Sequence, residues 1–135
     1  MILGIINTMS VLVVNIITRL YLGEGEQSVL NAFKTSESAS QFLMLIFESY
    51  LRDNDYPRNW DEGDMCDVED GTLACAPTME VAARIFDPSV IRAMIERRRN
   101  GPAITRQTPI NLYSWFSEMN KCVPFEITIQ ELTLL

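Results

Sequence analysis

The first eighteen residues, Met1 to Thr18, contain no charged side chain. Such a run has to leave water for a protein core or a membrane, which constrains the fold more than any other feature of the chain. A signal peptide would open with basic residues, and none precede this run. A membrane-spanning helix needs about 20 apolar residues, whereas Asn7, Thr8, Ser10, Asn15 and Thr18 interrupt this one. Placed at about 100° per residue, Ile2, Ile5, Ile6, Met9, Leu12, Val13, Ile16, Ile17 and Leu20 fall in one arc of roughly 140°, with the polar residues and Arg19 opposite. This spacing predicts an amphipathic core helix ended by Gly23 and Gly25, with a membrane anchor over residues 1–22 as the rival reading.

Helical spacing recurs downstream. Val29, Leu30 and Phe33 share a face of a short helix from Gln27 to Lys34. Ser38 and Gln41 fit a capping box ahead of Ala39, Phe42, Leu43, Ile46, Phe47, Tyr50 and Leu51, a helix apolar on most sides and so expected at the centre of a bundle. After a long interruption, Thr78 opens a helix bearing Met79, Ala82, Ala83 and Phe86. Asp87 and Pro88 have N-cap and N1 character, Arg97, Arg98 and Arg99 lie where cations complement a helix dipole, and Asn100-Gly101-Pro102 stops that helix. Thr108-Pro109 repeats the opening signal before Leu112, Tyr113, Phe116 and Met119, for a helix ending near Lys121. In the tail, Phe125, Ile127 and Ile129 alternate with polar residues as in a strand, which would need a mate in Thr72 to Ala76 or in another chain; a short helix fits residues 125–130 equally well.

The expected fold is therefore mainly all-α, a compact bundle of five to six helices in a single domain over residues 1–135. An acidic loop at 53–77 would separate helical halves 1–52 and 78–122, with a tail at 123–135. At 135 residues the chain matches one typical domain.

The chain has no histidine, which removes the commonest general base and metal ligand together with Ser–His–Asp and Cys–His catalysis. Its three cysteines, Cys66, Cys75 and Cys122, are an odd number without CxxC spacing, which points to a reducing intracellular compartment, cytoplasmic or nuclear, and matches no zinc pattern. Gly23-Glu24-Gly25 lacks the rest of a phosphate-binding loop. Asp61 and Asp64 beside Trp60 resemble a sugar-cleaving carboxylate pair only in composition, and they sit in an expected loop. No cofactor, metal or catalytic residue is assigned, and the chain reads as a non-enzyme.

Net charge is −7, and its source is local. Eight acids lie between Asp53 and Asp70 against the single base Arg58, while the remainder is balanced. An acidic chain is a poor match for nucleic acid. The acids do not form a calcium loop either, because Val68 and Cys66 stand where ligands are required. Tyr56 and Trp60, among Asp61, Glu62, Asp64 and Asp67, have the look of a recognition segment for a basic surface. The basic counterpart is Arg97 and Arg98 with their neighbours, read either as a solvated helix end or as a partner for the acidic loop. A hydrophobic groove at Tyr113, Trp115 and Phe116 is a further candidate.

Arg52-Asp53-Asn54 followed by Asn59-Trp60 resembles the segment entering the central helix of apoptosis regulators of the B-cell-lymphoma type. That resemblance implies a helical bundle, of cellular or viral origin, that sequesters an amphipathic helix of a partner. Asp61-Glu62 stand where that family has Gly-Arg, and membership is not assigned. The expected function is a regulatory protein–protein interaction module, with no nucleic-acid or membrane partner. The alternatives are a self-associating assembly subunit, such as a homodimer, and a membrane-associated protein.

Overall fold

The computed structural model describes residues 9–19, 26–53, 65–69, 78–116 and 125–134. Strands β1 (Met9–Arg19) and β2 (Glu26–Phe33) precede helix α1 (Ser36–Asp53) and the short strand β3 (Met65–Asp67). Helices α2 (Met79–Ile85), α3 (Pro88–Arg99) and α4 (Ala103–Arg106) follow, then β4 (Ile110–Phe116) and β5 (Phe125–Leu134). Among the described residues the five strands form one antiparallel sheet in the order β2-β1-β5-β4-β3. The all-α bundle expected from periodicity is therefore not the fold, and the helical architecture implied by the apoptosis-regulator resemblance falls with it. A helix through residues 1–22, in a core or a membrane, is excluded because Met9–Arg19 is strand.

Each misread segment has its own physical cause. In β1 the residues from Val11 to Ile17 are apolar except for Asn15, so helical and strand periods fit equally well. The discriminating feature is β-branching at Val11, Val13, Val14, Ile16, Ile17 and Thr18, which favours a pleated strand. Leu12, Val14 and Ile16 are buried towards the helices, while Val11, Val13 and Ile17 on the other face are half-buried. In β4 the pairing with β5 shifts between Asn111 and Tyr113, making Leu112 an extra bulge residue. Leu112 and Tyr113 are consequently both buried, and this apolar doublet resembles a helical face rather than an alternation. Pro109 precedes a strand, and its carbonyl accepts a hydrogen bond from Arg98 Nη2 at 3.3 Å.

The tail alternation is a strand, and β5 lies at the centre of the sheet, where Phe125, Ile127 and Ile129 are buried. Its mates are β1 and β4, the two segments whose patterns favoured helices. Within the segment expected to be a loop, Met65, Cys66 and Asp67 pair with Phe116, Trp115 and Ser114.

Helices cover one face of this sheet. On α1, Ala39, Leu43, Phe47 and Leu51 are buried at four-residue steps. Phe47 meets Tyr113 edge-on with ring centroids 5.2 Å apart and Phe86 at 5.6 Å, and Tyr50 stacks on Phe125. The N-cap is Thr35, whose Oγ1 accepts from Ser38 N at 3.1 Å, in place of the expected Ser38. The start signals at Thr78 and Asp87 are as expected, unlike that at Thr108-Pro109, which precedes β4. Thr78 Oγ1 accepts from Val81 N at 3.0 Å, and Asp87 Oδ1 accepts from Ser89 N at 2.8 Å with Pro88 next in line. Val81, Ala82, Ile85, Phe86, Ile91, Met94 and Ile95 complete the buried helix layer.

Candidate interaction surface

Strand β2 is held differently from the rest of the sheet. Antiparallel pairing fixes it to β1, with Phe33 opposite Leu12, Asn31 opposite Val14 and Val29 opposite Ile16. Odd-numbered residues of β2 thus share the helix-covered face and even-numbered ones the opposite face. Yet every residue from Gln27 to Ala32 is exposed, on both faces, with Val29 45% and Leu30 67% accessible. At the end of β2 the helix layer packs on it directly, the rings of Phe33 and Phe42 lying 5.1 Å apart. Further along, a cleft of about 180 Å³ separates β2 from α1, bounded by Ile16, Val29, Ile46, Tyr50 and Phe125. The strand is a wing projecting past its cover.

The outer edge of that wing has no strand beside it among the described residues. An open edge presents backbone N–H and C=O groups to any extended segment, and proteins ordinarily blunt it with proline, lysine, a bulge or brevity. The opposite edge strand, β3, is blunted by brevity, being three residues long. The eight residues of β2 contain no proline or lysine, and their pairing with β1 runs without a register shift. On the helix-free face, exposed Leu30 stands opposite Asn15 with half-buried Val13 and Ile17 on its diagonals, and Val11 stands opposite Leu132, which is 41% exposed.

The second feature is the arginine row on α3, and its geometry is that of a fastening. Arg92 Nη1 bonds Glu37 Oε2 on α1. Arg98 Nη2 meets both carboxylate oxygens of Glu69 at 2.9 and 2.7 Å, and Arg99 Nε donates to Glu131 Oε1 on β5 at 2.8 Å. One helix face is thereby tied to α1, to the segment after β3 and to the central strand. Glu69 is itself built into the sheet margin, since its N–H donates to Asn111 O at 3.1 Å and its Oε1 accepts from Asn111 N at 3.3 Å. The hydrogen bond from Arg92 holds the Glu37 carboxyl below its ordinary value, and the Ser89 side chain does the same for Asp87. The Glu131 hydrogen bond raises Arg99 further above its already high value.

Of the residues singled out by sequence, Tyr113 and Trp115 are fully buried in the core, so no groove opens at them. Phe116 is the last residue of β4, opposite Met65, and Asp67 lies in β3 opposite Ser114. Tyr56, Trp60, Asp61, Glu62 and Asp64 fall outside the described residues. Arg98 belongs to the Glu69 fastening, which is the pairing of the basic row with the acidic segment, and Arg97 borders a cavity of about 230 Å³ beside Met94 and Pro102. The sequence reading missed the wing, because an edge position is set by strand order and leaves no local mark. The absence of burial in β2 is visible only once its neighbours are known.

Among the described residues no group of three metal-ligating side chains comes together, and no helix is long and apolar enough to cross a membrane. Compared with protein-family models, with curated proteins and with solved structures, the chain finds no match in any of the three.

Proposed function

We propose that this protein is a non-enzymatic interaction module that takes a protein partner by extending its sheet at β2. The observation that carries this reading is the wing itself, an eight-residue edge strand exposed on both faces with Val29 and Leu30 among its open residues. Strand addition draws affinity from main-chain hydrogen bonds and specificity from alternate side chains, and this edge supplies both. Leu30 would contribute on the helix-free face, and Val29 beside its cleft on the other. The total lack of histidine and the use of Arg92, Arg98 and Arg99 as internal fasteners support a binding role over a catalytic one.

The test is comparative capture. The wild-type chain and a Val29→Lys/Leu30→Lys variant are immobilised, and retained proteins, including further copies of this chain, are quantified by mass spectrometry. The reading expects proteins held by the wild type to be lost from the variant while its circular dichroism is unchanged. Equal retention by the two would overturn it.

A further inference from the structure

We infer that the partner at the β2 edge is a second copy of this chain, paired antiparallel about a two-fold axis through Leu30. This rests on the reading of β2 as the docking edge and adds the identity of its occupant. A two-fold interface brings one patch against itself, so the strand must be complementary to its own reverse. Centred on Leu30, the pairing sets Leu30 against Leu30, Ser28 against Ala32, Val29 against Asn31 and Gln27 against Phe33. At each end position 26, a glutamate, stands opposite Lys34 of the other copy. No like charges meet, and an acid faces a base twice. Moving the centre to Asn31 sets Lys34 against Ser28 and position 26 against Ser36, and loses both matches.

The architecture leaves room for this arrangement. The axis runs perpendicular to the sheet, so both helix layers lie on the same side of a continuous sheet. Two helices overhanging the edge would collide there, but Gln27, Val29 and Asn31 are exposed on that side, with a cleft between Val29 and α1. On the open face, two Leu30 side chains, each 67% exposed in one chain, would cover each other. Pairing through one strand per copy is a small interface, of the class that associates reversibly rather than permanently.

Sedimentation equilibrium across a concentration series tests this, with Leu30→Lys and Lys34→Glu as variants and with disulfide mapping of Leu30→Cys. The inference expects a wild-type monomer–dimer equilibrium that Leu30→Lys weakens by at least about tenfold, since two lysines would then face each other. Lys34→Glu should weaken it less, and salt should weaken the wild type. Leu30→Cys should form a 30–30 disulfide, identified by mass spectrometry. A wild-type monomer throughout, or a dimer unmoved by Leu30→Lys, overturns the inference. A monomer whose captured proteins still depend on Val29 and Leu30 leaves β2 as a docking edge for another protein, whereas a monomer without that dependence removes both.

Discussion

Strands β5 and β2 lie in the same sheet and have opposite circumstances. β5 is flanked by β1 and β4, its Phe125, Ile127 and Ile129 lie under the helices, and its Glu131 is clamped by Arg99. Among the described residues β2 has one neighbour, and none of those from Gln27 to Phe33 is fully buried. The backbone ladder between β2 and β1 is as regular as that between β1 and β5, so hydrogen bonding does not distinguish the two strands. Apolar burial does, and it divides the sheet into a part that stabilises the fold and a part left available for another molecule.

Substitution should separate those parts most sharply. Ile127→Ala removes buried methyl groups beneath α1 and should cost about 2–5 kcal/mol of unfolding free energy. Leu30→Ala, on an exposed side chain, should change it by no more than about 0.5 kcal/mol under dilute, monomeric conditions. Urea unfolding of both variants checks this, and similar losses would erase the contrast.

A smaller effect is expected at the fastening between α3 and the sheet margin. Arg98→Ala removes the bonds to Glu69 and Pro109 while leaving Glu69 attached to Asn111. For this part-exposed pair we expect a loss of about 1 kcal/mol. Amide exchange should rise around Glu69 and leave the β2 amides unchanged, because the wing shares no bond with that clamp. A parallel rise in β2 would show the two regions to be coupled.

The pH dependence should be smaller again. Glu37 and Asp87 titrate below their ordinary values of 4.5 and 3.8 in the folded chain. A depressed carboxyl contributes stability that is fully present above its unfolded value and is lost as pH falls through the folded one. The melting temperature should therefore hold to about pH 5 and decline below it. Arg92→Gln should flatten the part of that decline due to Glu37, leaving most of the Asp87 part, which the Ser89 hydrogen bonds carry, in place.

The two strands also differed in how far they could be read from sequence. The alternation of Phe125, Ile127 and Ile129 marked β5 as a strand candidate because one face is buried and the other is not. β2 carries no such alternation, since neither face is buried, and its Val29, Leu30 and Phe33 happen to match a helical step. β1 was hidden by the apolar residues on both of its faces from Val11 to Ile17, and β4 by the bulge at Leu112. Helices α2 and α3 were legible because Thr78, Asp87 and Pro88 act on backbone groups within a turn of themselves. The candidate surface was not legible, because it depends on which strand ends at the edge of the sheet and how far α1 extends over it.

The central claim is that β2 is an open edge that another chain completes. Hydrogen exchange of the β2 amides in the wild-type protein, followed across a range of concentrations, tests it most directly. The account predicts outward-facing amides that exchange rapidly in dilute protein and become protected as concentration rises, while β5 stays protected throughout. Protection of the whole of β2 at every concentration would show an edge already covered within the chain, and would contradict it.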